Sequence, residues 1–107
     1  MVTKKFPQST AMRLHERARG ICEVMIPHAG CTGRAEHIHH RQLRKHGGRH
    51  SMENCVVICH RCHEWIHMHP AISYTHGWLV RSTDNPASVR VQQGVILLTE
   101  RTPRDEP

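Results

Sequence analysis

Between His39 and His67 two kinds of metal ligand are set into one another: His39-His40, then Asn54, then Cys59-His60-Arg61-Cys62-His63, then His67. Cys62 and His63 are neighbours, so a fold that satisfies both sets must place a thiolate cluster directly beside an imidazole cluster.

A small chain needs such a staple. With 107 residues, 37% of them apolar, the chain has the size of one domain and little material for a large core. Domains of this kind commonly rely on disulfides or a metal. Five cysteines and twelve histidines supply the means. Met1 to Thr10 contains no apolar run of the secretory type, so a reducing, cytoplasmic setting is expected, in which closely spaced Cys and His read as a metal site. No stretch approaches the roughly 20 consecutive apolar residues of a membrane span, and no membrane partner is expected.

The element pattern is α+β, and residues 1–107 read as a single domain. Ser9 or Thr10 can cap a basic N-terminal helix through Ala11–Arg19, within residues 1–21, stopped by Gly20, with Met12, Ile21 and Leu14 toward the core. Pro27, Gly30 and Gly33 make Cys22 to Gly33 a loop or knuckle. Glu36 to His40 and the β-branched Asn54 to Ile58 read as two short strands bracketing a basic loop that turns at His46-Gly47-Gly48. From Arg61 or Cys62 a helix runs to about His69, where Pro70 ends it, closing a core over residues 22–69, and Ala71 to His76 adds a turn. Apolar runs at Trp78–Arg81, Val89–Val91 and Gly94–Thr99 suggest a small β hairpin or meander in residues 70–101, followed by a frayed 102–107.

Cys59 and Cys62, two residues apart, have knuckle spacing: both thiolates reach one ion while backbone amides point at the sulfurs. Tetrahedral Zn2+ needs two more ligands, and Cys22 and Cys31 are the natural second pair, with His28 as an alternative to one of them. Cys55 shares a strand face with Val57 and reads as a small buried hydrophobe. The closed zinc site would pin the start of the domain to the helix that carries His63.

Neighbours on a strand point to opposite sides, so His39 and His40 cannot share one task. His63 and His67, four apart on a helix, share a face and can bite a single ion. With His39 they make a three-histidine site that leaves positions for water and phosphate, and open coordination marks a catalytic metal.

These residues resemble the His-Asn-His (HNH) endonuclease family, in its zinc-containing, four-cysteine branch. The likeness is carried by His39-His40, Gly47-Gly48 seven residues on from His40, Asn54 fourteen on, and His63 nine after Asn54. It implies a ββα-metal fold of two strands, a loop and one helix around the ion. It implies that His40 is the general base that takes a proton from water, that a divalent ion on His39, His63 and His67 binds the scissile phosphate, and that Asn54 holds the loop and aims His40. The products would carry 5′-phosphate and 3′-hydroxyl ends. Many family members have Asp where His39 stands, and a neutral imidazole favours Zn2+, Ni2+ or Mn2+ relative to Mg2+.

Charge points the same way. Met1–Gly20 holds five basic residues against one acidic, and Arg34–Arg49 again five against one, whereas Arg81–Pro107 is balanced. A large polyanion would meet the first half of the chain. On the loop after His40, Arg41, Arg44, Lys45 and Arg49 are placed to contact DNA phosphates without reading sequence. His37, His46, His50, His60, His69 and His76 read as solvated histidines, and Trp65 and Ile66 as core. The expected function is a DNA endonuclease of low specificity, resembling small bacteriophage nucleases that act beside terminase and other packaging proteins. A host restriction nuclease and a zinc-stabilised nucleic-acid-binding module with a degenerate site are the alternatives.

Overall fold

The computed structural model describes residues 6–93. Helix α1 spans Gln8–Ala18. Its apolar face is narrow: Leu14 and Ala18, one turn apart, are buried, while Met12, on the far side of the helix from Leu14, is 57% exposed. Ile21 lies past the helix end, pairs with Arg34 through an isolated bridge and is likewise exposed. Of the three expected core positions, only Leu14 is inside. The cap also differs from expectation. Pro7, with its φ held at −59°, initiates the helix without a side-chain cap, so Ser9 and Thr10 fall within the first turn. The chain leaves the helix through Arg19 in the left-handed region, one residue ahead of Gly20.

Strands β1 (His37–His40) and β2 (Cys55–Ile58) pair antiparallel, with His39 opposite Val56 and His40 opposite Cys55. This two-stranded sheet divides the core. On one face Val56 and Ile58 pack with Cys22, Val24, Ile26, Cys59, Cys62, Ile66 and Trp78. On the other, Cys55 and Val57 pack with Leu14 and Ala18 of α1, joined by Phe6 and Ile38. All four residues of β2 are buried, which its unbroken β-branched run anticipates.

The loop between the strands folds over itself at Gly47, with φ 91°, and at Gly48, where a Cβ would stand 1.6 Å from the carbonyl oxygen of Gln42. Helix α2 (His60–Met68) begins earlier than its composition suggests, because two groups cap it. Cys59 Sγ accepts from the Cys62 amide, and Glu36 Oε1 accepts from the His60 amide at 2.8 Å. Pro70 then opens α3 (Pro70–Thr75).

Beyond α3 the expected hairpin does not form as far as Gln93; Gly94–Thr99 and 102–107 lie outside the described residues. Trp78, Leu79 and Val80 are buried in irregular backbone whose amides are satisfied one by one: Trp78 and Leu79 donate to Ser73 O, and Val80 to Arg41 O. The segment therefore lies against the core as a strap. Among the described residues no helix is long and apolar enough to cross a membrane.

Candidate metal centre

Four thiols meet where the end of the first loop reaches the start of α2. The sulfurs of Cys22, Cys31, Cys59 and Cys62 all lie within 4.8 Å of one another. Each receives at least one backbone amide: Met25 and Cys59 on Cys22, Gly33 on Cys31, Cys62 on Cys59, and Ile26 on Cys62, at 3.3–3.4 Å. Amides aimed at sulfur stabilise thiolate, the ligand form, and that is the surrounding a metal-bound cluster requires. The hydrogen bond from Cys62 holds Cys22 down at about 5 against the effect of burial, helped by the Cys59 and Met25 amides. The same bond pushes Cys62 up. His28 is exposed on a short 3-10 turn and stands outside the set. Cys55 belongs to the opposite half of the core, where burial raises its thiol to about 11.

Next to this cluster, one ligand nitrogen each from His39, His63 and His67 falls within 4.8 Å of the others. The ring centroids are 5.1 Å apart for His39 and His63, 5.4 Å for His39 and His67, and 5.1 Å for His63 and His67. His39 is buried, His63 half-buried and His67 exposed, so the trio opens toward solvent on the His67 side. His39 Nε2 lies 2.8 Å from the carbonyl oxygen of Trp78, and a carbonyl only accepts, so the ring carries its proton on Nε2 and keeps the Nδ1 lone pair. Burial lowers His39 to about 3 and His63 to about 4, with the neighbouring histidines adding to the effect. Both rings are neutral near pH 7, the state in which imidazole binds a metal. His37 Nδ1 lies 3.0 Å from His63 Nδ1, a partner that leaves His63 Nε2 as its second nitrogen.

His40 is not in this trio. By strand alternation it turns toward the α1 face, where its Nε2 meets His50 Nδ1 at 2.9 Å and both rings lie against Phe6. Burial lowers its pKa, with His50 and Arg44 adding to the shift. Asn54, buried, binds the loop at three points. Its Oδ1 accepts from Gln42 N at 2.7 Å, and its Nδ2 donates to Gln42 O and Arg49 O at 3.0 Å.

The four basic residues of the loop divide. Arg44, Lys45 and Arg49 are exposed. Arg41 is 2% exposed and cannot reach a phosphate, a correction to its expected role in binding nucleic acid. Its guanidinium instead donates to the carbonyls of Gly77, Glu53, Pro86 and Val89, tying the strap to the end of β1. The physical reason is parity: two residues after the buried His39, Arg41 also points inward. Burial lowers Arg41 to about 10, which leaves it a cation at neutral pH.

Three contributors escape sequence reasoning. His50 and His37 read as surface histidines, and each proves to be hydrogen-bonded to a candidate site residue. Trp78 reads as strand core, yet its backbone carbonyl orients His39. For His37 a signal exists, since it shares strand parity with His39. For His50 and Trp78 the contact depends on loop closure alone.

No curated protein and no solved structure matches the chain. Residues 28–68 match the model of the HNH endonuclease family. That stretch runs from the 3-10 turn through both strands to the end of α2, and it contains His39, His40, Asn54, Cys59, Cys62, His63 and His67. With two antiparallel strands, a helix and a four-cysteine cluster around it, this part of the chain is similar to the HNH endonuclease family and fits its ββα-metal core.

Proposed function

We propose that this chain is a metal-dependent DNA endonuclease of low sequence specificity, with His39, His63 and His67 holding a catalytic divalent ion and the four cysteines holding structural Zn2+. The observation that carries the reading is an open trio of histidines in a chain whose interstrand loop exposes Arg44, Lys45 and Arg49. The donor sets fit the ions assigned to them. Four thiolates in a closed, amide-lined cluster suit Zn2+. Three imidazoles with an exposed side suit a borderline ion such as Zn2+, Ni2+ or Mn2+ over Mg2+. When bound, such an ion supplies Lewis acidity toward the scissile phosphate and the leaving 3′ oxygen.

The side chains do the rest. His40 takes the proton of the attacking water, for which a neutral imidazole is suited at neutral pH. Asn54 holds the backbone at Gln42, two residues after His40, and so limits how far the ring can wander. Arg44, Lys45 and Arg49 grip phosphates flanking the scissile one. The products carry 5′-phosphate and 3′-hydroxyl ends. Work beside a phage packaging terminase is the narrower form of this reading and rests on the family resemblance.

Incubating supercoiled plasmid with the purified chain and Mg2+, Mn2+, Ni2+ or Zn2+ tests it. Nicking is expected, with His40→Ala reducing it by roughly 100-fold or more. DNA binding without nicking in every metal supports instead a zinc-stabilised binding module with a degenerate site.

A further inference from the structure

His40 and His50 are ten residues apart on either side of the basic loop, and the loop closes so that His40 Nε2 stands 2.9 Å from His50 Nδ1. A contact of that length between two ring nitrogens holds a single proton. If it sat on His50, a neutral His40 would carry its own proton on Nδ1 and have no lone pair for a water. If it sits on His40 Nε2, then Nδ1 is the basic nitrogen, and Nδ1 has no hydrogen-bond partner among the described residues.

The surroundings hold the two rings against one another. Phe6 lies against both rings, its centroid 4.6 Å from His50 and 5.6 Å from His40. Asn54 Nδ2 binds Arg49 O, the residue before His50, as well as Gln42 O, two after His40. A single buried amide thus fixes the backbone on both sides of the imidazole pair.

We propose that His50 is a positioning residue: its Nδ1 accepts from His40 Nε2–H, selects the tautomer of His40 with a free Nδ1, and holds the ring in one orientation. When His40 takes a proton from water at Nδ1, the resulting imidazolium keeps Nε2–H on His50, and the hydroxide oxygen bonds to phosphorus as the 3′ oxygen leaves. His50 gives up no proton in this step. The proposal rests on the reading of His40 as general base.

Two substitutions separate positioning from packing. His50→Phe keeps an aromatic ring against Phe6 but removes the acceptor, and His50→Asn loses the ring but sets an amide oxygen near the former Nδ1. Positioning predicts that His50→Phe lowers kcat for plasmid nicking about 10- to 100-fold with KM and metal content unchanged, and that His50→Asn restores most of the rate. A merely packed His50 gives the reverse order, and that result overturns the proposal. Nitrogen-15 imidazole spectra of the full chain supply a readout independent of activity. They are expected to show His40 protonated on Nε2, becoming a tautomeric mixture in His50→Phe. A proton on His40 Nδ1 in the unsubstituted chain overturns the proposal whatever the nicking rate. If the unsubstituted chain nicks in no metal, the nuclease reading fails, and these spectra still decide whether His50 sets the tautomer.

Discussion

His39 donates from Nε2 to the backbone carbonyl of Trp78 at 2.8 Å, across 39 residues of chain. A candidate ligand on the first strand is therefore oriented by the strap that follows α3. Buried His39 serves the core as well as the proposed ion site, whereas exposed His67 belongs to the proposed site alone. His39→Ala is expected to lose the catalytic ion and about 2–4 kcal/mol of stability, while His67→Ala weakens ion binding and leaves the fold intact. Metal titration and denaturant unfolding of the two variants check this; equal stabilities contradict it.

Stripping the four-cysteine cluster should cost the fold itself. The cluster joins the loop after α1 to the first turn of α2, and metal binding free energy in small domains is folding free energy. Cys62→Ala, or exhaustive chelation, is expected to abolish the cooperative thermal transition seen by circular dichroism. Full helix content in a chain shown by elemental analysis to hold no metal would contradict the assignment.

Arg41 and its exposed neighbours should behave as opposites. Arg41→Ala breaks a buried cation's bonds to four carbonyls and is expected to destabilise by about 3 kcal/mol or more. Arg44→Ala, Lys45→Ala and Arg49→Ala should leave the melting temperature nearly unchanged but weaken DNA binding, each reducing the salt slope by about 1. Binding isotherms at several salt concentrations, with melting curves of the same variants, distinguish the two behaviours.

Acid should weaken the fold through the buried histidines. His39 and His63 are held near 3 and 4 in the native state against an ordinary 6.5, so below pH 6.5 the unfolded chain binds protons that the native chain does not. Their contribution is complete above pH 6.5 and declines as pH falls toward these native values. In urea unfolding between pH 7.5 and 5, His39→Gln is expected to show a shallower loss of stability than the unsubstituted chain. Parallel curves would mean that His39 does not titrate on unfolding.

The elements that sequence reveals well are those written in local spacing. The strands follow from β-branched runs, and the cluster at Cys59 and Cys62 from a knuckle interval whose first cysteine also caps α2. The helix start was obscured because Pro7 replaces the hydroxyl caps that Ser9 and Thr10 offer. Arg41 was legible in principle: the alternation that puts His39 inside puts Arg41 inside too, and only its charge argued otherwise. His50 and Trp78 carry no local sign of their partners. Their contacts exist because Asn54 closes one loop and Arg41 ties down another.

The sheet that separates His39 from His40 also separates the neighbours each of them packs against. Residues touching His40, such as Phe6 and His50, lie on the α1 face, and the His39, His63 and His67 trio lies on the α2 side. Packing around His40 and packing around the histidine trio are therefore set by different elements, the loop and Phe6 on one face and α2 on the other. Insertion of one residue within β1 is the change this arrangement cannot absorb, because it would exchange the two histidines between the faces.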